Sequence, residues 1–414
     1  MDAQAFSTTY RRYALALLLA VNLLNYIDRQ VLYAVFPLIK ADLSLSDTAL
    51  GLLGSAFMLC YMVSAPLLGW IGDRSSRVRL ASSGLVIWSI ATALAGFAPG
   101  YRTLLAARTT VGIGEASFGT VSPGLLADFF PRERRGRVLA YFYLAIPVGS
   151  ALGYLLGGVL GERFGWHAAF LLVGAPGLLL ALPVGLLREP RRGGGTDASD
   201  PPAGQTGAGY AALFRNRSFV CNTLAMAAMT FALGGLAQWF PSFLHRVHHL
   251  DVARGNTLFG AITVVAGISG TLTGGWLGDR MQKKSGRGYL LVSAWGFLLG
   301  APVACWAILS PTVSGCMTAV FIAEFFLFLN TGPLNTVIVN VTLPAVRAMA
   351  FAVNIFFIHA LGDAVSPSIL GWFSDRWGLR SALLITPGAM ALAALFCFVC
   401  GRYVEGDMAR VEEV

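Results

Sequence analysis

The chain has 414 residues, of which 56% are hydrophobic and only 12% charged, with a mean hydropathy of +0.67. Soluble domains carry about a quarter charged residues, so this composition excludes an ordinary soluble enzyme and indicates a polytopic membrane protein. The net charge of +9 sits mostly in short loops beside apolar runs, where it reports orientation in the bilayer and not affinity for nucleic acid.

After Arg11 and Arg12 comes an apolar run too long for a signal-peptide core, and no small-residue cleavage site follows it, so it is expected to remain as a spanning helix. The apolar runs predict about twelve helices, each near the length needed to cross the hydrocarbon. They fall at 13–39, 48–71, 79–98, 102–126, 138–161, 167–187, 218–244, 256–278, 289–309, 315–342, 348–373 and 381–403. Residues 188–216 interrupt the series with Gly193-Gly194-Gly195 and Pro201-Pro202. Such a stretch cannot bury a core and is expected to be a flexible cytoplasmic linker between an N-terminal bundle, 1–187, and a C-terminal bundle, 217–414. Lys and Arg gather in alternate loops, among them Arg74/Arg77/Arg79, Arg132/Arg134/Arg135/Arg137 and Arg280/Lys283/Lys284/Arg287, which places both termini in the cytoplasm.

A repeat runs through this series. Gly69-Trp70-Ile71-Gly72-Asp73-Arg74 closes the second helix and returns as Gly275-Trp276-Leu277-Gly278-Asp279-Arg280 at the end of the eighth. Looser copies, Gly158-Val159-Leu160-Gly161-Glu162-Arg163-Phe164-Gly165 and Gly371-Trp372-Phe373-Ser374-Asp375-Arg376-Trp377-Gly378, close the fifth and eleventh on the opposite membrane face. Strict and loose copies at opposite faces imply two pseudo-symmetric six-helix bundles, each made of two inverted three-helix units, in an all-α membrane fold.

Charge inside the membrane costs about 2.5–3.5 kcal/mol per group on insertion scales, so each instance is a functional candidate. The N-terminal half has Asp28 and Arg29 in its first helix and Arg108 and Glu115 in its fourth. Arg108 and Glu115 are two turns apart on one helix face, about 10 Å along the axis. Asn22, Asn25 and Arg29 share a face of the first helix. Two acids and two bases can form a self-neutralising structural cluster. They can equally form a switch in which Asp28 or Glu115 takes a proton and releases an arginine to grip an anionic head group, since burial and a neighbouring Arg act on a carboxylate in opposite senses. The C-terminal half is poorer in charge: Glu324 is a candidate substrate contact, and His359 and Asp363 stand one turn apart. Phe321, Phe325, Phe326, Phe328, Phe351, Phe356 and Phe357 crowd the tenth and eleventh helices, where some could line an apolar cavity for a substrate tail.

Other signals carry little. Gly112-Ile113-Gly114-Glu115-Ala116-Ser117 lacks the preceding strand of a dinucleotide motif. Cys60, Cys221, Cys305, Cys316, Cys397 and Cys400 all lie in apolar runs and suggest neither disulfides nor a metal site. His245, His248 and His249 cluster at one helix end without a ligand pattern, and no nucleophile–base constellation occurs. The chain is therefore expected to be a carrier and not an enzyme.

The segment Gly69-x-x-Gly72-Asp73-Arg74-x-x-Arg77 is similar to the loop signature of the major facilitator superfamily, with Ser76 in place of the usual Gly and Val78 in place of a basic residue. Asn25-Tyr26-Ile27-Asp28-Arg29-Gln30, Arg108-x-x-x-Gly112-x-Gly114-Glu115-Ala116-Ser117, Pro123-x-Leu125-x-Ala127-Asp128 and Tyr141-Phe142-x-x-Ala145-Ile146-Pro147-Val148-Gly149-Ser150 resemble the Spinster-like transporters. The resemblance implies a proton-linked, alternating-access carrier of lysophospholipids or sphingosine phosphates, acting as a monomer in the bilayer with the proton as its coupling ion and no cofactor. It places Asp28, Arg29, Arg108 and Glu115 in the cavity of the N-terminal half. With the reading of the charges and the repeat, the expected sites are proton coupling at Asp28 and Glu115, substrate binding at Arg29, Arg108, Asn25 and Glu324, and gating at Asp73, Arg74, Arg77, Asp279 and Arg280. Asp73 would help close the cytoplasmic side against the eleventh helix, and Asp279 would do the same against the fifth. The short termini suit a bacterial inner-membrane protein. The helix 1 and helix 4 charges also resemble those of small organic anion:proton symporters, and Tyr154 stands where the helix 5 antiporter motif has Pro, so substrate size and direction stay open between these readings. A ligand-binding sensor that does not transport is the reading from another class.

Overall fold

The computed structural model describes residues 6–190, 213–343 and 346–412, all of it helix and short connections. Residues 191–212, most of the expected linker, lie outside the described residues. Among the described residues ten segments are long and apolar enough to cross a membrane. Two expected crossings are not separately among these ten. The fourth, α5 (Tyr101–Phe129), carries the buried charges within it, and the fifth and sixth form one run, Arg134–Gly185.

That run takes in most of α6 (Arg132–Tyr143) and all of α7 (Ala145–Gly185), and α7 is two helices that meet at Gly165, with φ 82° and ψ 158°. Only glycine adopts that conformation without strain. The same break recurs at Gly378, φ 81° and ψ 155°, between α14 (Ser366–Trp377) and α15 (Leu379–Leu383). These glycines end the two loose copies of the repeat, so corresponding sequence gives corresponding backbone. A second correspondence was not visible in the sequence. Ser44 ends α2 (Phe36–Leu43) at φ 50° and His249 ends α8 (Arg217–His248) at φ 55°, both left-handed.

Several expected helices are broken where a proline withholds its N–H. The first is split at Val35 into α1 (Thr8–Ala34) and α2, with Pro37 in the first turn of α2. The tenth divides into α11 (Val313–Phe328) and α12 (Thr331–Asn340), which holds Pro333. The eleventh is α13 (Arg347–Ile358), a π-helical turn His359–Asp363, and α14 with Pro367 in its first turn. The remaining elements are α3 (Asp47–Arg74), α4 (Arg77–Ala95), α9 (Val252–Gln282), α10 (Gly288–Leu309), α16 (Ile385–Cys400) and α17 (Val404–Glu412).

The chain forms two compact units. One holds α1–α7 together with Leu250–Gly260; the other holds α8 and the chain from Ala261 onward. In the first unit α1 packs along α7 and α5 packs against α3 and α4. Gly149, Gly153 and Gly157 of α7 face α1 at every fourth residue, and a Cβ at Gly153 would lie 2.6 Å from the Ile27 carbonyl oxygen. Small residues at this spacing let helix backbones approach closely in a membrane. Glu162, the acid of a loose copy, accepts the Ala253 backbone N–H at 2.6 Å and so caps the start of α9, where the helix dipole favours a carboxylate. In the second unit Asp407 of α17 is buried and accepts both the backbone N–H and the hydroxyl of Ser218, at 3.1 and 2.6 Å, in the first turn of α8.

Candidate functional site

The packing of α3 and α4 on α5, and of α5 beside α1, brings all four expected charges together in the first unit. They pair crosswise between α1 and α5. Arg29 Nε donates to Glu115 Oε2 at 2.7 Å, and Arg108 Nη1 donates to Asp28 Oδ1 at 3.1 Å. Asp28 also accepts from the Thr92 hydroxyl of α4. Neighbours in sequence thus belong to different pairs, and each pair ties two helices.

The two pairs differ in access. Arg108 and Glu115 are 0% exposed and Asp28 is 1% exposed, whereas the Arg29 side chain is 16% exposed. Arg108 Nε and Nη2, and Glu115 Oε1, are buried without a hydrogen-bond partner among the described residues. Arg29 spends only Nε; among the described residues neither of its terminal nitrogens donates a hydrogen bond. Of the two cations, Arg29 is the one that solvent or a ligand can reach, and its free nitrogens present a bidentate edge suited to a phosphate or carboxylate. Asn25, one turn before Arg29, is buried, and its side chain makes no hydrogen bond among the described residues. Asn22 is instead committed to the Phe142 carbonyl at 2.8 Å.

Sequence reasoning did not identify the aromatic lining of this site. Gly112 of α5 lies directly beneath the Phe57 carbonyl of α3, with no room for a Cβ. That contact holds Phe57 and Tyr61 beside Arg29, whose guanidinium carbon is 5.0 to 5.2 Å from the ring centroids of Tyr26, Phe57 and Tyr61. The one-turn spacings Tyr26/Arg29 and Phe57/Tyr61 were available signals, but nothing in one sequence says that α3 faces α1.

Glu324 lies in the second unit. Its Oε1 accepts from Thr263 Oγ1 at 3.0 Å, and its Oε2 is buried without a partner among the described residues. His359 Nδ1 and Asp363 Oδ1 are 2.8 Å apart inside the π-helical turn. An apolar groove of about 590 Å³ in this unit is lined by Leu224, Phe231, Leu361, Ile385, Leu392 and Phe396 among others. None of the phenylalanines expected to line a tail cavity is among its walls.

The candidate gating residues separate into bound and unbound. Arg77 is buried and binds Asp128 at 2.7 Å, Glu189 at 2.9 Å and the Pro190 carbonyl at 3.2 Å. Beyond the spanning segments, burial pushes the Glu189 carboxyl up, but the Val78 backbone N–H, Arg77 and Ser76 outweigh it and hold its pKa below the ordinary carboxylate value. Asp73 makes no ion pair among the described residues. Asp279 accepts from the Tyr289 hydroxyl at 2.7 Å. Arg74 and Arg280 lie over the rings of Trp70 and Trp276, 4.3 and 5.6 Å from their centroids.

A bundle of long apolar helices enclosing a paired, partly accessible arginine defines a class: membrane proteins that move or bind a charged solute. The comparisons agree. The profile of the Major Facilitator Superfamily matches residues 18–367. The chain is 37% identical to protein spinster homolog 1 of Homo sapiens, covering 96% of this chain and 82% of that protein. It is 32% identical to the sphingosine-1-phosphate transporter SPNS2 of Mus musculus, covering 96% and 78%. Among solved structures it is similar to a bacterial homolog of the human lysosomal transporter Spinster, in an inward-facing and unoccupied conformation. The TM-score is 0.89 at 26% identity, over 97% of this chain and 99% of that one. The chain therefore belongs to the major facilitator superfamily and, within it, to the Spinster-like family. It is a multi-pass membrane transporter.

Proposed function

We propose that this transporter is a proton-coupled, alternating-access carrier of an amphiphilic anion, a lysophospholipid or sphingosine-phosphate-like lipid. The observation that carries the reading is Arg29, held by Glu115 through one nitrogen while two others remain free at an accessible edge. A ligand phosphate competes with Glu115 for the same guanidinium. Protonation of Glu115 removes the competitor and leaves Arg29 to the ligand; loss of the proton takes Arg29 back. Arg108 and Asp28, out of reach, serve as the fixed counter-pair that holds α1 on α5. The mouse relative named for sphingosine-1-phosphate transport supports the lipid class.

On this reading α7 makes two passes about Gly165 and α5 makes one, giving twelve crossings in two bundles joined through residues 188–216, each bundle built of inverted triplets. The molecule works as a monomer in a bacterial inner membrane, with cytoplasmic termini and the proton as its coupling ion. Gating belongs to the charged helix ends Asp73–Arg77 and Asp279–Arg280, and Asn25 and Glu324 contact the substrate. The test is uptake into vesicles with an imposed pH gradient, using oleoyl lysophosphatidylglycerol, whose phosphodiester keeps one charge throughout. Gradient-driven uptake that excess lysolipid suppresses and small carboxylates do not is the expected result. Suppression by small carboxylates alone would replace the lipid with an organic acid, and binding without uptake would make the protein a sensor.

A further inference from the structure

Three rings surround a cation that is already paired. The guanidinium of Arg29 lies within about 6 Å of the faces of Tyr26, Phe57 and Tyr61, the range over which a ring quadrupole attracts a cation. Tyr26 comes from the same helix, one turn back; Phe57 and Tyr61 come from α3, one turn apart. Phe57 also lies 5.1 Å from the guanidinium of Arg108. The ionisable groups acting on Arg29 are Glu115 of α5, Asp28 and Tyr26 of α1 and Tyr61 of α3; Arg108 of α5 acts on Asp28 and Glu115, and Tyr143 of α6 on Tyr26. Of these, Glu115 alone donates or accepts a hydrogen bond with Arg29 among the described residues.

We propose that Tyr26, Phe57 and Tyr61 form an aromatic collar that keeps Arg29 in its receptor position when Glu115 is protonated or engaged elsewhere. This inference rests on the proposed role of Arg29 as the anion receptor and names what makes that role possible. Without the ion pair, a long Arg side chain gains rotamer freedom and loses its address, and a ligand must then order it again. The collar removes that cost, because the attraction of a ring for a guanidinium does not depend on the charge of Glu115. The carboxylate sets when Arg29 is free, and the rings set where it waits. They are positioning residues: they act on the ligand through the guanidinium. Among the described residues the rings engage the guanidinium without taking a hydrogen bond from it, which leaves both terminal nitrogens for an anion.

Two measurements on the full chain in phosphatidylcholine nanodiscs test this. The first needs no ligand. In a Glu115→Gln background, the rate at which phenylglyoxal modifies Arg29 is followed by mass spectrometry, with and without Phe57→Leu or Tyr61→Leu. Loss of a ring is expected to speed modification about tenfold, the scale of one desolvated cation–π contact, and Tyr61→Phe is expected to leave it unchanged. The second is affinity for oleoyl lysophosphatidylglycerol. Phe57→Leu and Tyr61→Leu are expected to weaken it about tenfold while its pH dependence stays as in the parent, because Glu115 is intact. An unaltered labelling rate in both leucine variants overturns the collar, as does a Tyr61→Phe variant that behaves like Tyr61→Leu, since the hydroxyl and not the ring would then be responsible. A parent protein that binds no lysolipid overturns the proposed cargo, and the labelling rate still decides the collar.

Discussion

The number of protons taken up with each anion is the most direct test of the site. Arg29 is bonded to one carboxylate, Glu115, at 2.7 Å, and the other carboxylate of the cluster is bonded to Arg108, which is 0% exposed. A ligand that takes Arg29 therefore strands one ionised carboxylate in a buried site, at a cost of several kcal/mol unless it is neutralised. Neutralisation by a proton is the less costly path. One exchanged pair means one proton per anion.

Linkage converts that count into a slope. The anion binds the protonated form, so affinity is highest at low pH. It weakens about tenfold, or about 1.4 kcal/mol, for each unit of pH rise across the range in which Glu115 titrates. Glu115→Gln fixes the site in its proton-loaded charge state, and its affinity for oleoyl lysophosphatidylglycerol is expected to be flat with pH. Asp28→Asn leaves the Arg29–Glu115 pair intact and is expected to keep the slope. Calorimetric titration in buffers of differing ionisation enthalpy reads the proton count independently of the slope. A slope that survives Glu115→Gln and vanishes in Asp28→Asn would refute the reasoning, because the proton would then belong to the buried pair.

Further outcomes follow from other parts of the molecule. Glu324 has a buried oxygen without a partner among the described residues, and it suits a cationic or donor group on the cargo, so Glu324→Gln is expected to weaken lysophosphatidylethanolamine binding about tenfold and leave lysophosphatidylglycerol binding unchanged. Gly153→Val places a Cβ against the Ile27 carbonyl and is expected to abolish the monodisperse peak in size-exclusion chromatography. Gly69→Ala and Gly275→Ala, with nothing within 4 Å, are expected to leave that peak intact. Because the folded-state pKa of Glu189 is lowered, its contribution is present above the ordinary glutamate pKa of about 4.3 and is lost as pH falls through the lower folded value. Glu189→Gln is therefore expected to reduce thermal stability at neutral pH and to narrow its loss on acidification, measured by differential scanning fluorimetry.

Much of the fold was legible because a bilayer leaves few choices. A long apolar run must be helical, since every backbone group has to be satisfied within the segment, and Asp28, Arg29, Arg108 and Glu115 stood out against that background because charge there is expensive. What the sequence did not disclose is everything set by contacts between helices. Adjacent Asp28 and Arg29 invited pairing with each other, and Arg108 and Glu115 shared a helix face, yet the pairs cross between α1 and α5. Thr92, Phe57 and Tyr61 are ordinary residues of spanning helices until α3 and α4 pack on α5 and bring them to the charges of α1. Pro37 and Pro333 were available signals for the breaks at Val35 and before α12, which the expected helices ran through, but the π-helical turn at His359–Asp363 has no comparable local signature.

The repeated helix ends also acquire a division of labour that their sequence does not state. In the strict copies the Arg falls four residues after the Trp, one helical turn, so Arg74 covers Trp70 and Arg280 covers Trp276; the loose copy Trp372/Arg376 does the same at 3.8 Å. The remaining copy has Val159 in that place and gains no such contact. A Trp ring beneath a snorkelling Arg at the end of an apolar helix is a membrane-interface anchor, and Trp70 and Trp276 are 54% and 61% exposed. The acids of the same motif do different things: Asp279 accepts from Tyr289, Glu162 caps α9, and Asp73 has no ion-pair partner among the described residues. Spacing along one helix can repeat an anchor faithfully, because anchoring needs only the helix and the bilayer. An acid's partner comes from another helix, so three of the four motifs hold an interface anchor in common while the acids diverge. The buried cluster lies at the far end of that scale, since each of its four charges depends wholly on a second helix.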